Sequence, residues 1–172
     1  MTELFEVDAT VPVAASSAAV WEFLSDPNDT GLSGVIPGSS GVPRPEPGMT
    51  EVGHRFTEFF ADPDTGEKIP CTWETVSCSP RERHLRASAP ISGDVAIELW
   101  YSLTSTSDGT VSLRRRMTTR LPVGRTLTDG WFRRLGDQRA AEETTRRIAD
   151  RIAEKAAGYQ RCSSGRGRSS AP

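Results

Sequence analysis

Three consecutive arginines, Arg114-Arg115-Arg116, interrupt an alternating segment, and parity separates them. Between Thr110 and Leu121 the apolar register is Val111, Leu113, Met117 and Leu121. Successive side chains of a strand point to opposite faces, so Arg115 shares the apolar face while Arg114 and Arg116 do not. The same argument puts Tyr101 with Val95, Ile97, Leu99 and Leu103, and puts Glu58 and His54 with Phe56 and Phe60. A guanidinium inside an apolar interior can hold a carboxylate or stabilise an enolate oxygen. Tyr101, Glu58 and His54 are groups that can move a proton. One cluster of Arg115, Tyr101, Glu58 and His54 would supply the parts of an aldol-type cyclisation and dehydration. Plainer readings stand beside this one. An arginine next to a glutamate is often a structural ion pair. A β-bulge would flip the parity and turn Arg115 to water. His54 follows Gly53 at a strand start, which suits an exposed rim, and Tyr101 suits a core tyrosine with its hydroxyl at the edge.

Other chemistries find no support in the sequence. Cys71, Cys78 and Cys162 have neither metal-ligand spacing nor an even count, and only His54 and His84 are available to join them. Free thiols in a reducing cytoplasm are the expectation. There is no nucleophile motif and no Gly-rich phosphate loop, so neither a metal nor any other cofactor is expected. Twenty-three acidic residues nearly balance twenty-one basic ones, and the net charge of −2 argues against nucleic acid as a partner. No signal peptide is expected from the first residues, and no apolar run approaches the roughly 20 residues that span a bilayer. A cytoplasmic location and no membrane insertion follow as expectations.

The elements that must position these side chains are legible in outline. Phe5, Val7, Ala9, Val11 and Val13 alternate with polar residues and proline, which predicts a half-buried strand. Ser16 or Ser17 can cap a short helix with Val20, Trp21, Phe23 and Leu24 on one face, and Asp26-Pro27 suits the start of a second. A Gly/Pro-rich stretch from Gly31 to Gly53 follows, long enough to act as a lid or to serve as a solvated connector. Strands are predicted over His54–Phe60, Lys68–Ser77, Arg83–Ala89, Asp94–Thr104 and Thr110–Leu121, joined by turn clusters such as Ser107-Asp108-Gly109. A long helix comes last. Its core stripe reads Trp131, Leu135, Gln138, Ala141, Thr145, Ile148, Ile152, Ala156 and Tyr159. Thr128 can cap it and Gly158 suits its end, although Gly130 and Gly136 favour a regular start near Asp137. This gives an α+β domain over residues 1–159 and a disordered Ser/Gly/Arg tail over 160–172.

Several segments in this order resemble the polyketide cyclase/START-like superfamily, also called SRPBCC, whose fold is that of the birch pollen allergen. They are Val11-Pro12-Val13-Ala14-Ala15-Ser16 leading to Val20-Trp21-Glu22-Phe23-Leu24-Ser25-Asp26-Pro27, and Val52-Gly53-His54-Arg55-Phe56. Trp73-Glu74-Thr75-Val76, Ser79-Pro80-Arg81-Glu82-Arg83 and Asp108-Gly109-Thr110-Val111 continue the match. The resemblance covers roughly residues 4–158. It implies a helix-grip fold: a curved antiparallel sheet wrapped around a long C-terminal helix, with two short helices after the first strand. It also implies a cavity between sheet and helix for lipids, polyketides, hormones or other apolar ligands. Some members catalyse cyclisation or dehydration, and many only bind or carry. Most relatives carry a bulky residue soon after the Asp-Pro, where this chain has Asn28-Asp29-Thr30-Gly31-Leu32-Ser33-Gly34.

The expected catalytic candidates are Arg115, Glu58, Tyr101 and His54. The expected ligand-lining set is Phe56, Phe60, Trp73, Ile97, Leu99, Leu113 and Met117 on the strands, with Ala141, Thr145 and Ile148 on the helix. The partner to expect is a small hydrophobic molecule, with a homodimer as an open alternative. Three functions compete: a cofactor-independent cyclase or dehydratase, a carrier or binding module for an apolar ligand, and a protein-interaction domain with a filled core.

Overall fold

The computed structural model describes residues 3–25, 51–61, 65–89, 95–106, 110–121, 123–124 and 136–164. β1 (Glu3–Val13) leads to helix α1 (Ser17–Ser25). β2 (Arg55–Ala61), β3 (Lys68–Ser79), β4 (Glu82–Ala89), β5 (Val95–Ser105) and β6 (Val111–Leu121) follow, and α2 (Gln138–Ser164) ends the order. The six strands form one antiparallel sheet in the order β1-β6-β5-β4-β3-β2. β2 to β6 are a meander, and β1 returns beside β6 to close the row at the far edge. This is the expected helix-grip architecture. Among the described residues it has one short helix, and the second, expected at Asp26-Pro27, lies outside them.

Period-two alternation in β5 and β6 fixes which face is buried. Burial in β5 alternates at every residue from Val95 to Leu103, and in β6 from Val111 to Leu121. A one-residue slip would expose the whole apolar set, so the register is strongly specified. A shift in pairing between Thr75 and Ser77 of β3 marks a bulge, which lets the sheet bend. Helix α2 packs against the buried face mainly at β1, with lesser contacts to β6 and α1. Ala141, Thr144, Thr145, Ile148, Ala149 and Ile152 are its buried side chains, and their steps of three and four keep them on one stripe.

Two features of α2 correct the sequence expectation. Gln138, assigned to the core stripe, is exposed and serves the edge of the sheet instead. Its Nε2 donates to the Asp8 carbonyl at 2.7 Å, and the Asp8 amide donates to its Oε1 at 3.1 Å. The side-chain amide thus acts as a short strand partner for β1, blunting an otherwise open edge. The helix also continues through Gly158 to Ser164, into the stretch expected as tail. Its start agrees with a boundary near Asp137: the Asp137 carboxylate accepts from the amides of Arg139 at 2.9 Å and Ala140 at 3.1 Å. Thr128, the other candidate cap, and Trp131 and Leu135 lie outside the described residues, as does the side chain of Tyr159.

Candidate ligand site on the inner face of the sheet

The buried face of β6 carries Arg115 between Leu113 and Met117. Arg115 is only 7% exposed, and Tyr101, its register partner on β5, is 3% exposed. Directly opposed residues of an antiparallel pair have Cα atoms about 4.5–5.5 Å apart, so the two side chains leave the sheet side by side. On the other flank of Arg115 stands Ala9 of β1, which is also buried. The bulge in β3 lies beyond these strands and leaves the parity of β6 intact, so Arg115 faces inward as expected.

Arg115 differs sharply from the arginines beside it. Arg114 donates to both carboxylate oxygens of Asp8, with Nε at 2.9 and 3.0 Å. Arg116 donates to Glu6 at 2.7 Å and lies over the Trp100 ring at 5.2 Å. Those two face outward, and the Arg114 guanidinium holds the Asp8 carboxyl below its ordinary range. Arg115 has only a weak contact, from Nη2 to the Met117 thioether at 3.9 Å, and its buried Nε has no partner. None of the described carboxylates pairs with it. The structural ion pair with a glutamate, weighed from sequence, is therefore absent among the described residues.

Glu58 is buried too, at 7% exposure, but belongs to a different part of the face. It accepts a hydrogen bond from the Trp73 indole Nε1 at 3.0 Å, and Cys71 is its register partner. Burial and then the charge of Glu58 push the Cys71 thiol up to about 12. Three strands separate β2 from β6, and the Trp73 row of pairs runs through Ala87 and Ile97 to Thr119, two inner positions beyond Arg115. The register thus makes two polar centres, Arg115 with Tyr101 and Glu58 with Trp73, where the sequence suggested one cluster. His54 sits half-buried before β2, held by its carbonyl, which accepts from the Thr75 amide at 3.0 Å. His84 stacks on Trp100 with ring centroids 4.5 Å apart, on the face of Arg116.

The apolar candidates surround these groups. Phe56, Trp73, Ile97, Leu99, Leu113 and Met117 are buried on the sheet, and Phe60 packs partly buried against them. Ala141, Thr145 and Ile148 are buried on α2, which packs mainly against β1, and the Thr145 hydroxyl donates to the Ala141 carbonyl at 2.7 Å. Sequence reasoning missed Thr119, which is 1% exposed with a buried hydroxyl that has no partner. Its parity with Arg115 and Met117 was the available signal. No group of three or more His, Cys, Asp or Glu side chains among the described residues could hold a metal ion. No described helix is long and apolar enough to cross a membrane.

Comparison with known proteins agrees with this geometry. The family model described as polyketide cyclase / dehydrase and lipid transport matches residues 5–157. No curated protein matches in sequence. Among solved structures, the ZhuI aromatase/cyclase from Streptomyces sp. R1128 superposes with a TM-score of 0.61 at 18% identity, covering 94% of this chain and 98% of that one. The di-domain aromatase/cyclase StfQ of the steffimycin biosynthetic pathway gives 0.66 at 16% identity, covering 90% of this chain and 52% of the larger protein. Norcoclaurine synthase from Thalictrum flavum gives 0.59 at 15% identity, covering 90% and 94%. At such identities these structures establish the fold.

Proposed function

The chain belongs to the polyketide cyclase / dehydrase and lipid transport family, and from that premise we propose that it binds a small hydrophobic or aromatic molecule between the inner face of its sheet and α2. The observation that carries this reading is a buried Arg115 set among apolar side chains with Tyr101 beside it. Pockets for apolar ligands combine such walls with a few polar groups that fix orientation. A core that served packing alone would gain nothing from an inward arginine without a counter-ion.

The same pair supports turnover as a second reading. In that reading Arg115 stabilises an oxyanion that develops on a bound ketone, and the phenol of Tyr101, its register partner, donates a proton. Cyclisation or dehydration of a polyketide-like ligand needs these two services. Glu58 and Trp73 would then contact the far end of the ligand. A carrier needs only the volume and the anchor.

Native mass spectrometry and solvent extraction of the purified protein, beside an Arg115→Ala variant, test the proposal. A small molecule carried by the parent and lost from the variant is the expected result. Turnover of that compound separates enzyme from carrier. No bound compound, together with no uptake of an apolar fluorescent probe, would overturn the reading in favour of a filled interaction domain.

A further inference from the structure

Resting on that reading, we propose that the ligand is an organic acid, whose carboxylate takes the Arg115 guanidinium away from the Met117 sulfur and whose second oxygen reaches the Thr119 hydroxyl. The inner face of β6 holds two buried polar groups in need of a partner. Arg115 is more than nine-tenths buried, and among the described residues its Nε is unpartnered and its one polar contact is a thioether at 3.9 Å. Two inner positions along the same strand, the buried Thr119 Oγ1 is unpartnered as well. Buried polar groups are nearly always satisfied, so each such exception calls for an explanation. One ligand that bridges them explains both.

The sign of the charge follows from the donor. A guanidinium offers only donors in a planar fork and never loses its proton, which matches a carboxylate in bidentate geometry. The contact with Met117 leans the guanidinium along the strand toward Thr119. The distance from Met117 to Thr119 is one inner-face step, about 7 Å at a rise of about 3.3 Å per residue. An acid and a second oxygen held apart by one or two rings suit that spacing.

Met117 is the side chain that must yield. It is unbranched and has three rotatable bonds, so it can leave the guanidinium without moving the backbone. The exchange replaces a weak sulfur acceptor with a charge-assisted hydrogen bond, roughly twice as strong as a neutral one. Ala9 and Tyr101, the register neighbours of Arg115, and Phe5 and Ile97, those of Thr119, bring no competing carboxylate.

Isothermal titration of the full chain with three probes tests this: β-naphthoate, its methyl ester, and β-naphthoate with a hydroxyl at the far end of the second ring. The acid should bind about tenfold or more tightly than the ester, a factor suited to one charged hydrogen-bonded contact. Arg115→Gln should abolish that preference by weakening the acid alone, and Arg115→Lys should keep part of it. Thr119→Val should remove the added affinity of the hydroxylated acid and leave β-naphthoate unchanged. Circular dichroism of each variant guards against misfolding. Equal binding of acid and ester, or a preference that survives Arg115→Gln, would overturn the acid assignment and leave the pocket reading standing. A hydroxyl gain that survives Thr119→Val would strike out the second contact. Uptake of no probe at all would overturn the pocket reading and this inference together.

Discussion

Replacing Arg115 with methionine should make the unliganded protein more stable. The side chain is buried, and among the described residues its Nε has no partner and its only polar contact is the Met117 thioether. A buried polar group left unsatisfied costs on the order of 1–3 kcal/mol, more when charged. Replacing buried charges with hydrophobic groups of similar volume is often neutral or stabilising, by about 1–4 kcal/mol. Methionine keeps an unbranched stem, and the flanking Ala9 and Met117 impose no polar requirement on its end. The expected gain is therefore about 1–3 kcal/mol. For a chain of this length each kcal/mol moves the melting temperature by about 2–4 °C. Urea unfolding and calorimetry on protein refolded from denaturant, which strips any bound ligand, would measure it. Arg114→Met is the control on the outer face, where the substitution only removes a partner from Asp8. A loss of about 3 kcal/mol in Arg115→Met, the scale for breaking a buried ion pair, would refute the argument that this arginine lacks a protein partner.

Other outcomes follow from local contacts. Asp137→Ala should cost about 0.5–2 kcal/mol in urea unfolding, because the carboxylate caps the first amides of α2. The Arg114 guanidinium, through its hydrogen bonds and charge, lowers the Asp8 pKa from its usual 3.8 in the fold. That contribution is fully present above the unfolded value and is lost as pH falls through the lower folded value. Stability curves of the parent and Asp8→Asn should therefore differ near neutral pH and converge in acid below about pH 4. Burial and the Glu58 charge hold the Cys71 thiol at about 12, so iodoacetamide at neutral pH should leave Cys71 unmodified while half-buried Cys78 reacts, as read by peptide mass mapping.

Strand parity was the most informative signal in the sequence. It separated Arg115 from Arg114 and Arg116, and it turned Tyr101 and Glu58 inward, because one side chain in two must face the core. Parity reports a face and says nothing of position on that face. Whether Glu58 meets Arg115 depends on which strands pair and in what register, and those are long-range properties of the sheet. For the same reason the bulge between Thr75 and Ser77 had no local signature. Gln138 fitted the helical period of the core stripe, yet the first turn of α2 lies beside the open edge of β1, where an amide is more useful than an apolar side chain. Gly158 lowers helix propensity by about 1 kcal/mol, and a helix can carry that cost without ending. The hydroxyl of Thr119 escaped notice because threonine is common in strands, and its lack of a partner shows only in three dimensions.

The triple arginine is an internal control on the meaning of Arg115. All three residues are on one strand, between the same two neighbours, and share one chemistry. β1 places Asp8 and Glu6 on the outer face, and each takes one of the outward arginines. At the inner position opposite Arg115 the same strand places Ala9. An acid there would neutralise the guanidinium within the fold and occupy the ground that a ligand acid needs. Alanine leaves the charge uncompensated by any described carboxylate and keeps the adjoining wall small and apolar, which carries a cost in stability for the free protein. A buried cation beside a small apolar neighbour is a poor arrangement for a core and a good one for a site that waits for an anion. The stability of the unliganded chain and its affinity for an organic acid should therefore trade against each other at this one residue.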